Sequence, residues 1–266
     1  MRMLIACACV AIATTAAADP RLPGVETPKV PYGLDKLRAT LGTVAVATPT
    51  GVVIDGKAII SVRNGDVDPA EKEGGSMGIK IPRVTAFVEK LLEAQRARTP
   101  GQPAGFLLAI DKSLPYRLLV ELMFSIKAAG VRDFSLIGQA SDLGVVPIKF
   151  PDKRPSEPAT KDAPLGLAVA VTKDRLVLWS ISGLEGTLNT PKLSVGRTDT
   201  AKLASAVAEI AKRRFPGKRA QADRSIIVMA DGAVSMQDVL ATIVAVRTTA
   251  DDKELFPDVL LSSGFE

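Results

Sequence analysis

Apolar positions along the chain follow two periods, and the change from one to the other marks out the elements. Short runs at 43–48, 51–54 and 57–62 are rich in Val and Ile, and Pro49-Thr50 between the first two predicts a hairpin. Residues 64–80 are polar and Gly-rich, which predicts a surface loop. From Pro82 the period turns helical: Val84, Phe87, Val88, Leu91 and Leu92 share one face, with Lys90, Glu93 and Arg96 mostly opposite. Thr99-Pro100-Gly101 ends that helix. The continuous apolar run 106–110 predicts a covered central strand. A second helix, 115–129, carries the stripe Leu118, Leu119, Leu122, Met123 and Ile126. Gly130 stops it, and 133–137 predicts a closing strand.

The same order then returns. Strands are predicted at 167–172 and 175–181, a helix around Leu203, Val207 and Ile210, a strand at 225–230, a helix at 235–247 and a strand at 258–262. Around the two central strands the register is 120 residues: Asp111 falls on Asp231, Tyr116 on Met236 and Met123 on Ile243. In each copy an apolar run ends at an Asp, a short turn follows and a helix begins. A repeat this long is a duplicated domain rather than a solenoid unit. Ser235 with Asp238 resembles a capping box, but the repeat sets Pro115 opposite Ser235, so the cap stays open by one residue.

Each copy reads as strand hairpin, helix, strand, helix, strand, the last three forming a right-handed βαβ crossover. Two helices cover one face of a sheet. The fold expected is therefore α/β: two tandem two-layer sandwich domains, each a mixed sheet with two helices on one face. The expected divisions are 1–18, a signal peptide; 19–39, a Pro-rich extended lead-in; 40–146, the first domain; 147–165, a stiff Pro-rich linker; and 166–266, the second domain. The second face of each sheet is left open to a partner or to water, with Val44/Val46 and Val52/Ile54 expected to be partly exposed on it. Edge strands offer unpaired backbone groups there.

Composition narrows the chemistry. The 266 residues are 47% hydrophobic, enough for two cores. With one Trp and two Tyr there is no aromatic platform for sugars or bases, and a net charge of +5 reads as a solvated surface, with no nucleic-acid partner. There is no His, and Cys7 and Cys9 both lie in the first 18 residues. That stretch has Arg2, an apolar run and Ala16-Ala17-Ala18 before Asp19-Pro20, which predicts a secretory signal cleaved after Ala18. Two alternatives stay open: residues 3–18 kept as a membrane anchor, or Leu4-Ile5-Ala6-Cys7 as a lipoprotein acylation box. Once exported, the chain would hold neither Cys nor His, which excludes disulfides, zinc fingers, Cys–His nucleophiles and Ser–His–Asp triads.

One segment resembles a known family. Asp111-Lys-Ser-Leu-Pro-Tyr116-Arg-Leu-Leu-Val120-Glu-Leu-Met123, followed by Ala128-Ala-Gly-Val131 and Phe134-Ser-Leu-Ile137, is similar to the periplasmic domain of the ExbD/TolR biopolymer-transport proteins. Asp231-Gly-Ala-Val-Ser-Met236 and Asp258-Val-Leu-Leu-Ser262 resemble it more weakly. The match covers about 35 residues of each copy. The resemblance implies two helices on one face of a sheet, self-association, and a place beside an inner-membrane channel-type transport subunit, with peptidoglycan as a possible ligand. Family members carry a transmembrane acid that takes part in proton use, and residues 1–18 hold no Asp or Glu. The expectation is a non-enzymatic, periplasmic accessory protein without a motor of its own, its two copies packed as an intramolecular pseudo-dimer. The alternative is an inner-membrane component anchored by its N-terminus.

No catalytic, cofactor-binding or metal-ligating residue is expected. Gly74-Gly75-Ser76-Met77-Gly78 matches G-x-S-x-G, but that nucleophile needs a strand before it, a helix after it and a His. A hydrolase using Ser/Lys or carboxylates has only such chance motifs behind it. Asp111 and Asp231 end central strands and read first as turn-formers that accept backbone N–H bonds. With Tyr116 and Met236 they are the candidate turn and interface residues, Tyr116 reading rather as core. The run 212–219, Lys-Arg-Arg-Phe-Pro-Gly-Lys-Arg, reads as a solvated helix end favoured by the helix dipole, or as a contact for anionic polymers or lipid headgroups.

Overall fold

A computed structural model describes residues 22, 24–37, 42–100, 105–150, 165–216 and 224–262. Its first half contains β1 (Asp35–Lys36), β2 (Thr43–Thr48), β3 (Gly51–Ile54), β4 (Lys57–Arg63), β5 (Asp66–Val67), α1 (Pro82–Arg98), β6 (Gly105–Ile110), α2 (Tyr116–Ala128), β7 (Asp133–Gln139) and β8 (Leu143–Lys149). The second half contains β9 (Leu167–Val171), β10 (Arg175–Ser180), β11 (Leu193–Gly196), α3 (Thr200–Arg214), β12 (Ser225–Ala230), α4 (Met236–Arg247) and β13 (Asp258–Ser262). The protein is mixed α/β, with one large mixed sheet and four α-helices among the described residues.

Local chemistry explains the boundaries. At the β3–β4 turn Asp55 and Gly56 both take positive φ, 50° and 75°, the conformation that two-residue hairpins prefer. Pro82 opens α1, where its missing N–H costs nothing. Ser235 is the N-cap of α4: its side chain accepts from the Asp238 N–H, which fixes the cap position the repeat left open.

The strands run in the order β11-β10-β9-β12-β13-β8-β7-β6-β2-β3-β4-β5, with β1 also on β8. In each half the third strand lies outside the second and first, and then come the two parallel strands of the crossover; in the first half the short β5 borders that third strand in turn. The halves join through β8, which is antiparallel to β7 and parallel to β13.

β8 was not expected: its first residues fell at the end of the first domain and its last in the stiff linker expected from Pro147 onward. The strand in fact runs to Lys149. Its outer edge pairs with β1 at Gly144 and Val145 and with β13 at Ile148 and Lys149. Pro147 falls between the two stretches, where no ladder bond is asked of it. Residues 151–164 of the linker lie outside the described residues, as do residues 1–18 with the predicted signal or anchor.

Sheet alternation sorts side chains between two faces. Ala45, Ala47, Val52, Ile54, Leu108, Val169, Val171, Val228 and Leu261 pack in one buried cluster with the stripes of all four helices. Val52 and Ile54 are thus under the helices and fully buried, contrary to expectation. They pair with Ala47 and Ala45, and cross-strand partners share a face. Val44 and Val46 do point to the other face, but Val46 is buried there with Leu107, Ala109, Ile137 and Val145 against Leu22, Val25 and Leu37 of the lead-in. The face expected to be open in the first half is covered by the chain's own N-terminal segment. A separate cluster, Ala168, Ala170, Trp179 and Ile227, forms on the second half. Among the described residues no helix is long and apolar enough to cross a membrane.

Candidate functional site

The four residues singled out from the repeat come together at one place. Each central strand ends at its Asp, and each turn then folds back into a helix. The two turns meet as an antiparallel bridge between Pro115 and Ser235. The Tyr116 N–H donates to the Val234 carbonyl (2.8 Å), and the Met236 N–H donates to the Leu114 carbonyl (2.9 Å). Likewise the Arg117 N–H donates to Gly232 O (3.0 Å) and the Gln237 N–H to Lys112 O (3.1 Å). Each bond has a mate displaced by the same 120 residues with donor and acceptor exchanged. These N–H groups belong to the first turns of α2 and α4, which have no partner within their own helix, so each turn satisfies the start of the other helix.

Around this bridge the halves differ. Asp111 is buried. Its Oδ2 accepts from the Glu26 N–H (2.9 Å), and its Oδ1 accepts from the Ser113 N–H (3.0 Å) and Oγ–H (2.6 Å). Burial opposes its ionisation, but these hydrogen bonds, with Lys112 close by, outweigh burial and hold its pKa below the ordinary value. Asp231 accepts from the Lys173 N–H at 3.1 Å. Their own N–H groups donate to the neighbouring strands, Asp111 to Ala47 O and Asp231 to Val171 O (2.9 Å each). Tyr116 is fully buried and donates its hydroxyl to the Ser262 carbonyl (2.5 Å), at the end of the other half's last strand; burial pushes its phenol pKa up. Met236 is buried in the shared core.

The lead-in crosses the junction as a strap. The Lys112 N–H donates to Glu26 O (2.7 Å), and the Val30 and Gln139 N–H groups donate to Gln139 O and Pro28 O (2.9 Å each). Gln237 then holds the Lys29 backbone in both directions, accepting its N–H (2.8 Å) and donating to its carbonyl (2.6 Å). Arg247, at the end of α4, donates to Gly33 O (3.1 Å) and pairs with Asp35 (2.8 Å). The strap therefore ties the first half's turn to the second half's helix. Glu26, Gln237, Arg247 and Ser262 were missed from sequence. The one available signal was that Gln237 and Arg117, aligned by the repeat, differ in chemistry.

Two acids anchor loops. Glu121, 1% exposed, meets the buried Lys72 ammonium at 2.6 Å and Arg117 at 2.7 Å. Arg117 also donates to the Ser76 carbonyl, so the Gly-rich loop is pinned through its backbone. Ser76 sits in a 3-10 turn, Gly75–Met77, capped by left-handed Gly74, with neither strand before it nor α-helix after it. In the second half the buried Glu185 receives Arg213 (2.5 Å) and Arg214 (2.7 Å). Among the described residues no group of metal-ligating side chains is large enough to hold an ion.

The outer edge of β4 offers a further surface. Among the described residues only Val62 and Arg63 pair outward, with β5, and Ile59 forms a bulge opposite Val52 and Val53. A groove of about 630 Å³ runs beside Ala58–Ser61, bounded by Asp66, Glu71 and Arg83. No protein-family model, curated protein or solved structure matches the chain.

Proposed function

We propose that this is a non-enzymatic bacterial envelope protein made of two tandem ExbD/TolR-like two-layer sandwich units. It acts beside biopolymer transport or envelope energy coupling by binding a partner protein, or cell wall, outside the cytoplasmic membrane. The observation carrying this reading is the reciprocal bridge between 112–117 and 232–237, because it lies in the segment that resembles the family and obeys the repeat register in every bond. A unit that self-associates through this turn, once duplicated, forms an intramolecular pseudo-dimer and needs no second copy. The β4 edge and its groove then serve as the surface for an inner-membrane channel-type subunit, by strand addition. Without an intramembrane acid the chain relays no protons itself.

The test is in-cell photo-crosslinking from Ser61, exposed on β4, with identification of the captured protein. The reading expects a channel-type transport subunit or a cell-wall fragment. Capture confined to soluble enzymes overturns it. Intact mass settles the N-terminus: loss of residues 1–18 is expected, and a full-length membrane-bound species supports the anchored alternative. The purified chain should be a monomer.

A further inference from the structure

We propose that the loop between β10 and β11, with the C-terminal turn of α3, docks onto an anionic membrane surface. Among the described residues five large apolar side chains are exposed, and three of them lie on this one loop: Ile181, Leu184 and Leu188 are 44%, 55% and 50% exposed. The loop that carries them is built, not slack. The Ile181 N–H donates to Gly166 O (2.8 Å), the Ser180 N–H to Gly186 O (3.2 Å) and the Thr187 N–H to Thr190 O (3.0 Å). Between the leucines, Glu185 turns inward, only 2% exposed, and takes both Arg213 and Arg214; Arg214 also donates to the Leu184 carbonyl at 3.2 Å. The acid thus rivets an apolar loop to a cationic helix end.

Charge complementarity selects the occupant. The C-terminal turn of α3 ends in Lys212, Arg213 and Arg214. Glu185 neutralises one charge of the arginine pair. Lys192 and Lys212, both exposed, have no acidic partner among the described residues. Aliphatic tips beside unneutralised cations are the chemistry that enters a headgroup layer, the tips reaching the acyl boundary while the cations meet lipid phosphates. A sugar polymer would call for aromatic platforms that this loop lacks, since its exposed apolar residues are Ile and Leu alone. The inference does not rest on the resemblance to ExbD/TolR proteins.

The experiment is co-sedimentation of the purified chain with vesicles of phosphatidylcholine, with and without about one third phosphatidylglycerol, a content that gives a strongly negative surface. The parent should bind the anionic vesicles and not the neutral ones. L184S/L188S should lower that binding by about tenfold or more, through lost apolar insertion. K192Q/K212Q should lower it by roughly fivefold per cation removed. All four side chains are exposed, so thermal melting should stay at the parent value; were the leucine variant to melt lower, the lysine variant carries the test alone. Equal binding to neutral vesicles, or parent-like binding by both variants, overturns the proposal. So does binding of the parent to peptidoglycan in place of the anionic vesicles.

Discussion

The turns at 111–115 and 231–235 present one backbone solution in two settings. Both close with an Asp whose carbonyl accepts the N–H three residues on, at Leu114 and at Val234. Both lend their outer carbonyls to the opposite helix. They differ in what the carboxylate holds. Asp111 grips Ser113 and the strap at Glu26, while Asp231 reaches one N–H, that of Lys173. The backbone geometry therefore belongs to the repeat, and the side-chain load belongs to each copy. The loop anchors show the same contrast. Glu121 neutralises a buried lysine, whereas the arginines at Glu185 reach water.

The sharpest way to break this comparison is at the anchors. Glu121→Ala leaves the Lys72 ammonium buried beside no carboxylate and should cost about 3–5 kcal/mol in chemical denaturation. Glu185→Ala should cost less, about 1–2 kcal/mol, because its arginines can turn to solvent. Equal costs would show that the buried lysine escapes to water.

Next comes the strap. Gly33 has φ +80°, and a Cβ there would lie 2.4 Å from Thr248 Oγ1 and 2.8 Å from Val244 Cγ1. Gly33→Ala should destabilise by about 1–3 kcal/mol. It should also speed hydrogen exchange at the Val30 N–H while leaving the Leu167–Val171 strand protected. Uniform loss of protection would mean the strap is part of the folding core rather than a clasp on it.

Smaller effects separate the two Asp residues. Asp111→Asn should cost about 1.5–3 kcal/mol, as charge-assisted bonds to Glu26 and Ser113 weaken. Asp231→Asn should cost under about 1 kcal/mol. Acid unfolding checks the same point. Asp111 and Glu185 are both held below their ordinary 3.8 and 4.5, Glu185 because its bonds to Arg214 and Arg213 outweigh burial. A depressed carboxyl stabilises the fold above its unfolded value and gives that up as pH falls through its folded value. Stability should thus decline below about pH 4.5, and each of Asp111→Asn and Glu185→Gln should flatten part of that decline.

The elements were legible because each carries a local signal. Short Val- and Ile-rich runs flanking Pro49-Thr50 predicted a hairpin, and 3.6-residue stripes predicted the helices. The register of 120 pointed to the two turns before any contact was known. What sequence did not disclose depends on distance along the chain. Leu22, Val25 and Leu37 cover Val46 and Leu107, and nothing local in a Pro-rich stretch announces that. β8 hid behind Pro147, whose legality in a strand depends on β1 and β13 stopping short of it. Gln237 meets Lys29 across 208 residues of chain, and its one sequence signal, a chemistry unlike that of its counterpart Arg117, names no partner.

The bridge between the two turns has one more consequence. In an assembly of identical subunits any substitution is imposed on both sides of the symmetry axis at once. Here both sides are written in one polypeptide, so Tyr116 can have Met236 as its counterpart in the register, and Arg117 can have Gln237. Each side is free to hold the N-terminal segment in its own way, through Asp111 on one and Gln237 on the other, while both keep the backbone pairing.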